Sequence, residues 1–247
     1  MQPRVIPFIF ASGYGTRLKP LTSDLPKPLI PVRGEKTIID FIIDELVKNG
    51  FERVLINYSY GKEHYLDLQK RHRGTIDVVL INDQTVCGQG GILIKELALL
   101  QSDEYVLCLN GDTIIEFDLA AFISHPSTRM VRLLSDNAQP VQRNLLCTEA
   151  GVVAARGTAV DDNNIDWYLP KSAPLTTHNY LGVALIPTTA LQNITFNTDY
   201  MGFFGKDELV SQLADRGVTA TVKSVPIDLF LTANTIEELT TLRAALQ

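Results

Sequence analysis

Short apolar runs alternate with segments whose apolar residues recur every three or four positions through the first half of the chain, the pattern of a parallel sheet with crossover helices. Val5 to Phe10 reads as the first strand. A helix is predicted over Thr37 to Asn49, where Ile38, Ile39, Ile42, Ile43, Leu46 and Val47 form one face, with Thr37 able to cap its start and Gly50 its end. Further strands are predicted at Val54 to Asn57, Ile76 to Ile81 and Tyr105 to Leu109, separated by helical patterns near Glu63 to Lys70 and Gly91 to Leu100. After Ile114 the pattern changes to β-type stretches at Met130 to Leu134, Asn144 to Cys147, Gly151 to Ala155 and Tyr180 to Ile186, broken by polar loops such as 161–166. A helix near Lys206 to Arg216, a strand at Val218 to Val225 and a last helix close the chain, with Thr235 and Glu238 spaced as a capping box. The expected fold is one domain spanning 1–247, a Rossmann-like, doubly wound mixed α/β sheet with a smaller α+β region, its two halves being 1–115 and 116–247.

Composition narrows the function. At 247 residues, 45% hydrophobic and 20% charged, the chain can bury a core without disulfides or structural metal. A net charge of −6 argues against a nucleic-acid partner, so an anionic ligand has to be met by local cations. Cys87, Cys108 and Cys147 are odd in number and show no CxxC spacing, which suits a reducing, cytoplasmic setting. The apolar stretch Val5 to Ala11 runs into a glycine turn and reads as a buried strand rather than a signal peptide, and no run approaches the ~18 to 20 apolar residues of a membrane span. A homo-oligomer stays open.

The most informative segment follows the first strand. Ala11-Ser12-Gly13-Tyr14-Gly15-Thr16-Arg17 leads into Pro20-Leu21-Thr22 and Pro26-Lys27-Pro28-Leu29-Ile30-Pro31-Val32. A strand ending in a glycine turn exposes backbone N–H groups to phosphate, and Arg17 and Lys27 add a forked donor and an ammonium for a polyphosphate. Asn110-Gly111-Asp112 stands after an apolar strand, where a carboxylate suits Mg²⁺ carried on nucleotide phosphates. His64, His72, His125 and His178 lack metal-ligand spacing, and Ser12 is not in a GxSxG elbow.

GxGTRL, PLT and PKPLIPV together resemble the nucleotide-binding signature of sugar-1-phosphate nucleotidylyltransferases, over roughly the first 120 residues. The resemblance implies that an NTP and a sugar 1-phosphate are joined with release of pyrophosphate. It implies nucleotide binding by Ala11, Ser12, Gly13, Gly15, Thr16 and Gly111, charge neutralisation by Arg17 and Lys27, and a Mg²⁺ ion on Asp112. The glycine cluster from Asp83 to Gly91 is similar to the family's base-reading segment, which makes Gln84 and Gly88 candidates for base contacts. The sugar-phosphate lysine falls loosely on Lys171, ahead of Asn179 and Gly182. The C-terminal WxDIGTPEDL motif aligns without gaps to Phe230–Leu239 and puts Thr232 in place of its metal aspartate, so that Asp228 is the carboxylate expected to substitute. The length leaves no room for the hexapeptide-repeat domain that some relatives append, and INYSY and QGG are nearer to uridylyl and guanylyl enzymes. A cytidylyltransferase for choline or polyol phosphate, and a catalytically silent nucleotide-sugar sensor, are the alternatives.

Overall fold

The computed structural model describes residues 3–136, 144–156, 165–170, 174–196 and 199–247. In chain order they form β1 (Val5–Phe10), β2 (Pro31–Arg33), β3 (Lys36–Thr37), α1 (Ile38–Lys48), β4 (Arg53–Tyr58), α2 (Lys62–Arg71), β5 (Asp77–Asn82), α3 (Gly88–Lys95), α4 (Leu97–Leu100), β6 (Tyr105–Asn110) and β7 (Thr113–Phe117). There follow α5 (Leu119–Ile123), β8 (Met130–Ser135), β9 (Asn144–Cys147), β10 (Val153–Arg156), β11 (Asp166–Trp167), β12 (Thr176–Pro187), α6 (Leu209–Asp215), β13 (Thr219–Lys223), β14 (Ile227–Thr232) and α7 (Ile236–Ala245). The alternation of strand and helix in the first half is as the hydrophobic pattern predicts. The predicted helix over Gly91 to Leu100 starts three residues earlier and breaks between α3 and α4, where Glu96 leaves helical geometry at φ −97°, ψ 16°.

The chain divides into two compact units that interleave in sequence, where the change of pattern alone suggests one cut near residue 115. One comprises Ile6–Val86, Cys108–Phe117 and Ile227–Gln247; the other comprises Met1–Val5, Cys87–Leu107 and Asp118–Pro226. In the first, β4 is parallel to both β1 and β5, with Phe8 opposite Leu55 and Leu55 in turn opposite Val79. Strand residues Phe8, Ile9, Leu55 and Ile56 and α1 residues Ile38, Ile39 and Ile43 are at most 1% exposed, so burial of an almost uninterrupted apolar set holds this layer together. The capping box of α1 is formed by Thr37, whose hydroxyl accepts from the Asp40 N–H, and by Asp40, whose carboxylate accepts from the Thr37 N–H. That carboxylate also accepts from Arg71 at 3.0 and 3.1 Å and lies 2.7 Å from His72 Nε2, which ties α1 to the end of α2. Asp40 sits well below the usual carboxylate range: burial would raise it, and the hydrogen bonds from His72 and Thr37 and the charge of Arg71 outweigh that.

The same unit contains a strand pair that periodicity does not reveal. β7 and β14 run antiparallel in the register Ile115 to Phe230, Ile114 to Leu231 and Thr113 to Thr232. The capping box expected at Thr235 and Glu238 forms only by half. Thr235 Oγ1 accepts from the Glu238 N–H at 3.1 Å, but the Glu238 carboxylate turns to Thr232 and Asn234 instead.

In the other unit β8 is antiparallel to β12 and parallel to β13, and β12 continues through β9 to β10 and β11. The register of β12 shifts between Tyr180 and Ala184, around Gly182 at φ +80°. Residues 161–164 of the expected acidic loop lie outside the described residues.

Candidate nucleotide-phosphate site

The loop after β1 is anchored from β4 and α2. The Ala11 N–H donates to Asn57 Oδ1 at 2.9 Å, Tyr65 Oη donates to the Ala11 carbonyl at 2.9 Å, and Ser59 Oγ donates to the Ser12 carbonyl at 2.6 Å. Asn57, 2% exposed, also donates to Ser12 Oγ at 3.0 Å and to Asp83 Oδ2 at 3.3 Å. These contacts set the direction in which Gly13 and Tyr14, both exposed, leave the sheet. The turn is completed at Gly15, which is left-handed at φ +58° and whose missing Cβ would stand 3.0 Å from Lys27 Cβ and 3.1 Å from Thr22 Cγ2. Thr22 Oγ1 donates to the Gly15 carbonyl at 2.8 Å. Thr16 and Arg17, both exposed, follow in a single 3₁₀ turn whose Leu18 is fully buried.

Lys27 opens a second 3₁₀ turn, with its stem buried and its ammonium pointing at Asp112. Nζ lies 2.8 Å from Asp112 Oδ2, and the two side chains are 9% and 33% exposed. Thr113 Oγ1 donates to the other carboxylate oxygen at 3.2 Å. Burial would raise the Asp112 carboxyl, but the Lys27 charge and these hydrogen bonds hold it below the usual carboxylate range, so it is ionised at neutral pH. Gly111 donates its N–H to the Phe10 carbonyl at 3.0 Å, which sets Asp112 beside the end of β1.

The β7–β14 register brings the segment after β14 to the same place. The Ala233 N–H donates to the Asp112 carbonyl at 3.3 Å, and Asn234 Oδ1 accepts from Lys27 Nζ at 3.0 Å and from Arg17 Nη2 at 3.3 Å. Thr232 Oγ1 and the Asn234 N–H donate to Glu238 Oε2 at 2.8 and 2.7 Å. Burial would raise the Glu238 carboxyl, but these donors and the nearby Lys27 charge draw it below its ordinary value. Arg17, Lys27 and Asp112, three side chains singled out in sequence, therefore converge on one spot. Asn234 was not singled out, although the gapless motif alignment puts this polar side chain where the motif has glycine.

Asp228 does not converge with them. It is exposed near the start of β14, beside Leu229, the partner of Glu116, and within electrostatic reach of Lys48. Four residues of extended chain separate it from Thr232, about 13 Å at ~3.3 Å per residue. The register slips between Ile227 and Leu229, but from Leu229 to Thr232 the strand pairs regularly with β7, which holds Asp228 away from Asp112. A metal site with two aspartates therefore does not fit these residues, and among the described residues no group of three or more His, Cys, Asp and Glu could hold an ion. A site with one carboxylate does fit, since Mg²⁺ commonly takes one or two carboxylates and completes its shell with substrate phosphates and water.

Gln84 is exposed beside the buried Asp83. Gly88 belongs to the other unit, where its φ is +80° and a Cβ would stand 2.2 Å from the Met201 carbonyl oxygen. The close approach at Gly88 is that of the Met201 carbonyl, on the side where a Cβ would stand. Asn179 pairs with Asn144 across β12 and β9, and Tyr180 next to it packs on Phe203 and Phe204 with centroids 6.2 and 5.2 Å away, while the Arg156 guanidinium lies 5.1 Å over Phe204. Lys171 lies outside the described residues.

A parallel βαβ layer whose first strand ends in an anchored glycine loop, with two cations and a carboxylate gathered at its mouth, defines a Rossmann-like α/β protein with a site suited to phosphates. Residues 6–136 match the family model described as Nucleotidyl transferase, and the chain belongs to that family. It is 33% identical over 112 residues to the D-glycero-alpha-D-manno-heptose 1-phosphate guanylyltransferase of Campylobacter jejuni, a match covering 45% of this chain and 49% of that protein. It is 32% identical over 117 residues to the bifunctional protein GlmU of Methanococcus vannielii, covering 47% of this chain and 27% of that one. The chain thus spans about half or less of the length of these curated relatives. Among solved structures, HddC from Yersinia pseudotuberculosis complexed with GMP-PN superposes with a TM-score of 0.70 at 17% identity, covering 99% of this chain and 100% of that one, which is a likeness of fold. Among the described residues no helix is long and apolar enough to cross a membrane.

Proposed function

We propose that the protein transfers a nucleoside monophosphate from an NTP to a sugar 1-phosphate, releasing pyrophosphate and giving an NDP-sugar. The observation that carries this reading is Lys27, whose ammonium is held between Asp112 and Asn234 at the mouth of the glycine loop with Arg17 alongside. Membership of the family and the guanylyl, adenylyl and uridylyl names of the relatives supply the reaction class.

In the reaction an oxygen of the sugar phosphate forms a bond to the α-phosphorus of the NTP while the bond to the β-phosphate's bridging oxygen breaks and pyrophosphate leaves. Such transfer asks the protein mainly for alignment and charge neutralisation. Residues Ala11 to Thr16 supply the backbone cradle, and Lys27 and Arg17 stabilise charge on the phosphates. Asp112, ionised at neutral pH, would hold Mg²⁺, which when bound shields the phosphate oxygens and keeps the reacting groups in line. Gln84 is the proposed base contact in this unit, and Lys171, Asn179 and Gly182 the proposed sugar-phosphate residues. Consumption of an NTP and the three buried thiols suit the cytoplasm.

The test is pyrophosphate release from a panel of NTPs with hexose and heptose 1-phosphates, choline phosphate and polyol phosphates, starting from GTP with a heptose 1-phosphate. Turnover with a sugar 1-phosphate supports the proposal; turnover only with choline or polyol phosphate moves the protein to the cytidylyl class. The sensor reading draws on the single carboxylate at the site, and nucleotide binding with no turnover on any pair would establish it in place of the enzyme.

A further inference from the structure

The segment joining β14 to α7 carries a side chain that the motif does not account for. Asn234 Oδ1 accepts from both Lys27 and Arg17, whose positions in the sequence are 207 and 217 residues away. Its backbone is fixed independently of this side chain. The Asn234 N–H donates to Glu238 Oε2, the same oxygen takes the Thr232 hydroxyl, and Glu238 is itself at the cap of α7. The amide is therefore presented from a backbone held by Glu238, and truncating it leaves the Thr232 hydroxyl and Asn234 N–H contacts to Glu238 in place while removing the amide's own interaction with that carboxylate.

The chemistry of the acceptor matters as much as its position. Two cations brought close together repel, and some acceptor has to hold them; a carboxylate would do so by cancelling charge, while an amide oxygen does so without cancelling any. Asp112 already pairs with Lys27 through Oδ2. With a neutral group at 234, the charges of Arg17 and Lys27 are matched by Asp112 and the nearby Glu238; a carboxylate at 234 would turn the cluster net negative and repel a phosphate chain.

We infer that Asn234 is a positioning residue for polyphosphate binding, a neutral acceptor that gathers Arg17 and Lys27 into one site without adding negative charge to it. This rests on the nucleotidyl-transfer reading only for the class of ligand, a polyphosphate chain.

The probe is inorganic tripolyphosphate, which carries the phosphate chemistry without a base, titrated calorimetrically into the full chain with EDTA present. Asn234→Ala should weaken binding about tenfold, the loss of about one net hydrogen-bond contribution to charged donors. Asn234→Asp should be weaker still, by a further tenfold or so at about 50 mM salt, and the gap between the two variants should close as salt is raised towards ~1 M. Asn234→Gln, which keeps a neutral acceptor, should recover part of the loss. Asn234→Ala and Asn234→Gln should melt close to the wild type because the Glu238 clamp on the backbone remains, whereas Asn234→Asp should melt somewhat lower because its carboxylate faces that of Glu238.

Affinity of Asn234→Asp equal to or above the wild type would overturn the inference, as would an unchanged Asn234→Ala or a gap insensitive to salt. A wild type that ignores tripolyphosphate overturns it as well, while the pyrophosphate-release panel judges the nucleotidyl-transfer reading separately. Wild-type turnover on that panel, together with tripolyphosphate binding untouched by any Asn234 variant, would sink the inference and leave the function standing.

Discussion

Replacing Lys27 by Met keeps most of the buried stem and removes only the ammonium, so it isolates the charge that the site is built around. The lost partner leaves the Asp112 carboxylate with its Thr113 hydrogen bond but no counter-charge. Breaking a fully buried ion pair from one side costs about 3–5 kcal/mol, and an exposed pair is worth about 0–1 kcal/mol. With side chains 9% and 33% exposed, this pair stands between those limits, and a loss of about 2 kcal/mol is expected. At about 2–4 °C per kcal/mol for a chain of this size, the melting temperature should fall by about 4–8 °C. Catalysis should suffer more, with kcat/KM down by roughly 10²-fold or more, as when a pre-organised donor to developing charge is removed.

The pH dependence follows in sign. Asp112 is held below its ordinary 3.8 chiefly by Lys27 acting against burial, so its carboxylate contributes stability above 3.8 that is lost as pH falls through the folded value. Without Lys27, burial prevails and the carboxyl rises, so the acid limb of the pH–rate profile should move to higher pH. The measurements are thermal melts and pyrophosphate-release kinetics between pH 4 and 8 on Lys27→Met, Asp112→Asn and the double variant. Adding Asp112→Asn should return stability to Lys27→Met, because it removes the orphaned charge. A Lys27→Met protein with wild-type melting and an unmoved acid limb would refute the electrostatic account.

Asp228→Asn should leave turnover and its Mg²⁺ requirement within about twofold of the wild type, and a sharply raised Mg²⁺ requirement in metal titrations would show that its exposed place on β14 is misread. Asp40→Asn should cost about 3 kcal/mol through the weakened cap and the unpaired Arg71 and His72. Because Asp40 is depressed in the fold, its contribution is full above the ordinary 3.8 and lost as pH falls below it, so the variant should also show a shallower acid denaturation curve. Gly88→Ala should cost about 3 kcal/mol in thermal melts, since its φ is +80° and its Cβ would meet the Met201 carbonyl oxygen at 2.2 Å; a variant as stable as the wild type would mean that the chain there yields easily.

What the sequence determines by itself is what local physics determines. The α1 face recurs every three to four residues, the first strands are unbroken apolar runs, and Thr37 with Asp40 carries its cap within four positions. The glycine loop is legible for the same reason, since strand, turn and both cations lie within 23 residues of one another. Long-range pairing is another matter. Thr113–Phe117 and Ile227–Thr232 are short apolar runs that suit several structures, and only their pairing across more than 100 residues chooses strand for both and sets Thr232 opposite Thr113. That register is what removes Asp228 from the site and delivers Asn234 to it, a swap that a gapless alignment cannot show because sequence distance is not distance along a paired strand. Glu238 illustrates the same limit: its spacing from Thr235 is that of a capping box, yet its carboxylate turns to Thr232 and the Asn234 N–H, donors that the tertiary structure puts within 2.8 Å. Hydrogen-bond capacity is written in the residue type, but which partner it takes is decided when the fold brings competing partners within reach.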